Sequence, residues 1–312
     1  MEVKGITVFL LFVDGVGLGD DAEYNPWVTE PTPHLRSWLS GLPLSRAAVG
    51  THGKEVRLIA TDTRLGVEGL PQSATGQAAI FTGRNAPQAM GMHMAGLPFR
   101  RLRDWVQEDN IYKQFARKGW KATFANSYTQ EYFERPATRR GWISVSTATM
   151  LSAQVPVRYL PELLRGEAVY HDLTRRTLKE HLPEVDEITP ETAAEHLTRL
   201  GRDHDLVVHE FFLSDRAGHK HDPELVRWVV ETLDRFLGAM LRLRQHQDTI
   251  VLVSDHGNME DLRVRTHTMN PVPTLVVGDV GAIEDGQVAE WNLCSIAPLL
   301  QRLVERRQKG EI

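Results

Sequence analysis

Ile6-Thr-Val-Phe-Leu-Leu-Phe-Val13 runs directly into Asp14-Gly-Val-Gly-Leu-Gly19. Eight residues with one polar side chain read as a strand buried on both faces, the habit of parallel sheets. The glycines after it make a tight turn. Further strands are expected around Val56–Thr61, and at Asp205–Leu213, Thr249–Val253 and Pro273–Val277. Helical spacing falls between and after them, at Leu102–Lys118, Pro190–Gly201 and Glu224–Leu243, and a helix also follows Ser73-Ala-Thr-Gly76. Strands alternating with helices predict an α/β fold with a mainly parallel central sheet. Residues 86–189 are rich in Arg and aromatics and interrupt this alternation. They are expected to form an inserted cap or substrate region, with residues 1–85 and 190–312 as the core domain.

Composition bounds the function. The chain has 312 residues, 41% hydrophobic and 25% charged, which excludes a disordered, fibrous or disulfide-stapled protein. Its formal net charge of −5 argues against a nucleic-acid partner. Ile6–Val13 is too short to span a bilayer and lacks the basic start of a signal peptide. No membrane partner is expected, and a cytoplasmic location is. The single cysteine, Cys294, is expected to be a small buried residue.

Three strands are followed by an acidic residue: Val13 by Asp14, Leu213-Ser214 by Asp215, and Val253-Ser254 by Asp255. In open α/β sheets ligands bind beyond the carboxyl ends of strands, so these carboxylates are expected to converge. Any one of them alone would more simply cap a helix or open a turn. Histidines accompany them. His219 lies four residues after Asp215, on the same side if that segment makes a helical turn; His256 follows Asp255; His267 comes eleven residues later. Mixed carboxylate and imidazole ligands suit Zn²⁺ or Mn²⁺ better than Ca²⁺. Unpaired, the carboxylates would repel one another, and divalent cations would cancel that repulsion. Gln72-Ser-Ala-Thr-Gly-Gln77 offers a nucleophile, Ser73, at the entrance to a helix, with Thr75 as its rival. A serine hydroxyl needs a base or a metal to ionise it.

These segments resemble the alkaline phosphatase superfamily, and most closely its cofactor-independent phosphoglycerate mutase and phosphopentomutase branch. Val253-Ser-Asp-His-Gly-Asn-Met-Glu-Asp261, His267-Thr-Met-Asn-Pro-Val-Pro273, Asp215-x-x-Gly-His219, Val13-Asp-Gly-Val-Gly17 and Ser73-x-x-Gly76 occur in that branch's order. The resemblance implies an α/β/α sandwich and two divalent ions, Mn²⁺ or Zn²⁺. One ion would be held by Asp215, His219 and His267. The other would be held by Asp14, Asp255, His256 and the oxygen of Ser73. Three carboxylates and a serine alkoxide balance two divalent charges. The implied activity is phosphoryl transfer through a phosphoserine, with hydrolysis of a small phosphate monoester favoured and a phosphomutase as the alternative. A metal- or ligand-binding protein without turnover is the alternative from another class.

The sequence also departs from the branch. Gln77 stands where the mutases usually have His, and the insertion of about 100 residues is shorter than their substrate domain and lacks its motifs. A sulfatase would need Pro and Arg in place of Thr75 and Gln77. Gly15-Val-Gly-Leu-Gly19 is no dinucleotide fingerprint, because its third glycine comes one position early. His93, Thr75 and Asn126, the last within Phe124-Ala-Asn-Ser-Tyr128, are expected to contact substrate. Arg100, Arg101, Arg103, Arg135, Arg139 and Arg140 offer forks suited to phosphate. Oligomeric state is not legible.

Overall fold

The computed structural model describes residues 7–284 and 290–311. Its frame is a seven-stranded sheet: β1 Val8–Val13, β2 Gly50–His52, β3 Val56–Thr61, β4 Ala122–Phe124, β5 Leu206–Phe211, β6 Thr249–Val253 and β7 Val272–Val277. The spatial order is β2-β3-β7-β6-β1-β5-β4. β6, β1, β5 and β4 are parallel neighbours, whereas β7, β3 and β2 pair antiparallel along the other side. The fold is thus an α/β sandwich whose mixed sheet is parallel at its centre.

β1 explains why both faces are covered. Val8, Leu10 and Phe12 point into one core, and Phe9, Leu11 and Val13 into the other. Successive side chains on a strand alternate faces, so a wholly apolar strand requires a layer on each side. Phe9 and Phe12 are fully buried, each worth about 1.5–3 kcal/mol. One layer contains the helices Ser73–Thr82, Arg100–Glu108, Ile111–Arg117, Val145–Ser152 and Ile296–Gln308. The other contains Pro190–Gly201 and Pro223–Leu243. The latter helix starts under an Asp222 cap, with Pro223 in its first turn.

Segment 86–189 is divided between two environments. Its first part supplies edge strand β4, and Leu102, Val106, Ile111, Tyr112 and Phe115 share a core cluster with Phe12. Leu163, Ala168, Leu178 and Val185 form a small separate cluster. The helical spacing over Leu102–Lys118 breaks into two helices at Asp109-Asn110, where Asn110 caps the second. Cys294 is only partly covered, against the first core; burial pushes its thiol up to about 11. Among the described residues, no helix is long and apolar enough to cross a membrane.

Candidate metal centre

The carboxyl ends of β1 and β6 bring Asp14 and Asp255 side by side. Asp215 departs from the expectation of a third strand end. β5 stops at Phe211, and Asp215 lies in the first turn of the helix Leu213–Lys220. That helical turn brings His219 Nε2 within 3.4 Å of Asp215 Oδ2, as an i, i+4 spacing requires. Gly15 allows this approach: at φ +69°, a Cβ there would lie 2.7 Å from Asp215 Oδ1.

Ser73 opens its helix directly, after Gln72 at the cap position. Its Oγ lies 2.9 Å from His256 Nε2. The same Nε2 is 3.3 Å from Asp14 Oδ1 and 3.6 Å from Asp255 Oδ2. His267 Nε2 is 3.6 Å from Asp215 Oδ1, and its ring stacks on His256 with centroids 3.6 Å apart. Two groups of ligand atoms result, Asp14–Asp255–His256 and Asp215–His256–His267. His219 stands at the exposed margin, outside both.

The histidines are oriented from behind. Nδ1 of His267 faces Pro71 O at 2.9 Å, and Nδ1 of His219 faces Arg265 O at 2.7 Å. A carbonyl only accepts, so each Nδ1 carries a proton and Nε2 is the nitrogen left to face a ligand. His256 Nδ1 likewise faces Gly257 O, at 3.3 Å. This excludes a serine–histidine–aspartate relay, which places the base's two nitrogens between serine and carboxylate. Here Ser73 and both carboxylates crowd one nitrogen.

Charge sharpens the point. Asp14 Oδ1 and Asp255 Oδ2 are buried without a hydrogen-bond partner, with His256 Nε2 3.3 Å from the first. Burial raises Asp14, and burial and Asp14 hold Asp255 well above the usual carboxylate range. For His256, burial opposes protonation, but Asp255 and Asp14 prevail and raise it to about 10. Burial and neighbouring His256 pull His267 down to about 4. Buried carboxylate oxygens without hydrogen-bond partners, crowded on imidazole nitrogens and in need of a compensating positive charge, fit divalent cations.

Asn258 and Glu260, whose roles the motifs did not reveal, support this cluster. Asn258 Nδ2 donates to Asp215 Oδ1 at 2.7 Å and to its backbone O at 3.1 Å. Fully buried Glu260 accepts from the backbone N–H groups of Gly17 (2.9 Å) and Asn258 (2.7 Å), from Asn270 Nδ2 (2.9 Å) and from Thr268 Oγ1. It ties the Asp14 turn to the His267 loop. A Cβ at Gly17 would run into this carboxylate. The hint was positional: both residues lie within four positions of His256, but an acid in a loop reads as surface.

The expected substrate contacts fare differently. Thr75 is fully buried; its hydroxyl reaches Gln72 O (3.3 Å) and receives Met94 N–H (3.1 Å), which fastens the following loop. His93 Nε2 meets Val67 O at 3.3 Å. Asn126 does line a cavity, but its amide spends itself on the backbone of Glu210, donating at 2.7 Å and accepting at 2.9 Å. Of the six arginines, only Arg135 reaches that cavity; Arg100 and Arg101 border another depression, and Arg103 donates to Gly141 O.

Residues 181–304 match the model of the Metalloenzyme superfamily. These residues include Asp215, His219, Asp255, His256 and His267. This matched stretch, less than half of the chain, is similar to that superfamily, and the comparisons support an alkaline phosphatase-like metalloenzyme. Similarity to individual relatives covers part of the chain. Over 117 residues it is 35% identical to the 2,3-bisphosphoglycerate-independent phosphoglycerate mutase of Rhodopseudomonas palustris, a stretch covering 35% of this chain and 22% of that protein. The same enzyme of Desulforudis audaxviator is 31% identical over 108 residues, 32% of this chain and 21% of the other. The chain therefore spans about a fifth of the length of these relatives. Whole-chain likeness is to solved structures. The PH0037 protein of Pyrococcus horikoshii matches with TM-score 0.57 at 14% identity, covering 97% of this chain and 98% of the other. Alkaline phosphatase from the Antarctic bacterium TAB5 matches with TM-score 0.54 at 13% identity, covering 96% and 98%. The match to the Metalloenzyme superfamily implies divalent metal ions.

Proposed function

We propose that the chain transfers phosphoryl groups from a small phosphate monoester through a phosphoserine at Ser73. The observation that carries this reading is the shared target of Ser73 Oγ, Asp14 Oδ1 and Asp255 Oδ2, all within 3.6 Å of His256 Nε2. Asp14, Asp255, His256 and Ser73 Oγ would hold one divalent ion, and Asp215, His219 and His267 the other, Mn²⁺ or Zn²⁺ suiting this donor set. Bound there, such ions lower the pKa of a hydroxyl and neutralise charge on a transferring phosphoryl group.

Ser73 Oγ attacks phosphorus opposite the ester oxygen. The Oγ–P bond forms, the ester P–O bond breaks, and the alcohol leaves with a proton. In the second half a hydroxyl attacks the phosphoserine and Ser73 is regenerated. If that hydroxyl belongs to water, free phosphate is released and the enzyme is a phosphatase. If it belongs to the bound alcohol, the enzyme is a mutase. Hydrolysis is our first reading, because a mutase must exclude water around its intermediate and here Ser73 is half-buried and His219 exposed. The mutase reading draws on the relatives' activity.

Intact-protein mass after incubation with Mn²⁺ or Zn²⁺ and a panel of phosphorylated sugars and glycerates tests both. An adduct lost in Ser73→Ala, with phosphate released, supports a phosphatase. The same adduct with isomerised ester and little phosphate selects the mutase. Metal-loaded protein giving neither adduct nor product would leave the non-catalytic alternative.

A further inference from the structure

A cavity of about 700 Å³ opens beyond the carboxyl ends of β4 and β5, beside the metal centre. Glu210 lines it, and this residue pairs in register with Phe12, two positions before Asp14. Adjacent-strand spacing and rise per residue put these two backbones roughly 8 Å apart. Asp14 N–H bonds Phe211 O at 2.9 Å, so cavity and centre share one sheet edge.

The walls are aromatic. Phe124, Tyr128, Tyr132, Tyr170, His171 and Phe212 all line the cavity. Tyr128 and Tyr132 have centroids 5.2 Å apart, and His171 stacks on Phe212 at 4.2 Å. Burial holds His171 down at about 3, so its ring is neutral. The permanent cation among the lining residues is Arg135, which is exposed. Buried inside is the carboxyl of Glu210, bonded by Ser146 Oγ at 2.6 Å. Burial raises it to about 7, where it can present a proton to a hydroxyl.

We propose that this cavity holds the alcohol part of the ester, and that this part is an uncharged ring system of hexose or nucleoside size. The proposal rests on the Ser73 reading and narrows its substrate. Aromatic faces suit flat rings and sugar C–H faces. A volume of this order encloses a ring-bearing ligand and leaves a three-carbon acid loosely held. A carboxylate placed there would meet Glu210 and no buried cation. The chain is therefore expected to depart from its mutase relatives in what it binds.

The test compares kcat/KM of the metal-loaded protein for 3-phosphoglycerate, glucose 6-phosphate and adenosine 5′-monophosphate. One ring ester should exceed phosphoglycerate by roughly 100-fold. Tyr170→Ala should cut that preference about 10-fold, mostly through KM. Phosphoglycerate turned over as well as either ring ester overturns the proposal and leaves the Ser73 reading standing. If no ester is turned over, that reading fails, and calorimetry with free glucose and adenosine decides the cavity. Binding of one, weakened in Tyr170→Ala, upholds the proposal; binding of neither overturns it.

Discussion

The metal centre and the neighbouring cavity occupy one sheet edge but are built on opposite principles. The centre gathers residues from positions 14, 73, 215, 255, 256 and 267, held by hydrogen bonds to buried backbone and by Glu260. Its carboxylates repel one another, so their geometry is demanding. The cavity uses residues between Leu97 and Phe212, with a group of aromatic rings held by packing and one buried acid. Chemistry requires particular atoms at particular distances, whereas recognition of a ring requires only shape and apolar area.

The largest expected effect is on the centre. Ser73→Ala should lower turnover on the order of 10³-fold or more while leaving the circular dichroism spectrum and melt in place. Retained turnover would mean that the nucleophile lies elsewhere. Next is Glu260→Leu, which leaves Gly17 N–H and Asn258 N–H without their acceptor. A loss of about 4 kcal/mol in urea unfolding is expected, with metal affinity down 10–100-fold. A loss below about 1 kcal/mol would show that the Glu260 junction does not hold the centre together.

Chelation should follow in size. With metal at 100 times Kd, removal costs about 3 kcal/mol of stability, read as a fall in the urea midpoint with EDTA. An unmoved midpoint would undo the claim that the carboxylate cluster is a cation site.

The cavity gives a smaller, pH-dependent effect through Glu210. Its folded pKa of about 7 exceeds the ordinary 4.5. The folded state therefore binds a proton that the unfolded state releases, and stability falls as pH rises from 4.5 through 7. Glu210→Gln keeps an acceptor for Ser146 and abolishes that fall. Its stability relative to the parent should rise by up to about 3 kcal/mol between pH 4.5 and 8, measured by urea unfolding of the metal-loaded proteins. A pH-independent difference would mean Glu210 is already ionised. Smallest is Arg100→Ala. Arg100 pairs with Asp104 on an exposed face at 3.4 Å, and its loss should change stability by less than about 0.5 kcal/mol. A larger change would give the solvated arginines a role they lack in this structure.

Much of the fold was legible because apolar strands have to be covered on both sides. Ile6–Val13 predicted β1 almost to the residue, and the helix Pro190–Gly201 was read with both its ends. Asp215 was misassigned to a strand end because Leu213-Ser214 continues the apolar run by composition. The backbone instead turns helical after Phe212, which aligns Asp215 with His219. The backbone partners of Thr75 and Asn126 were not legible either. Such partners come from residues 19 and 84 positions away, beyond any local pattern.

The sequence by itself determined which chemistry is available: three aspartates, three histidines and a serine, in an order and spacing that resemble one superfamily. Local spacing suffices there because ligand types and tight turns are written in short motifs. The tertiary structure decided the rest. It brought Ser73, Asp14 and Asp255 around one nitrogen of His256, gave Asn258 and Glu260 their buried partners, wove strand β4 of the 86–189 segment into the central sheet, and left an aromatic cavity beside the centre. Those features depend on packing between residues distant in the chain, where the energy of a contact belongs to the pair and is not encoded in either residue alone.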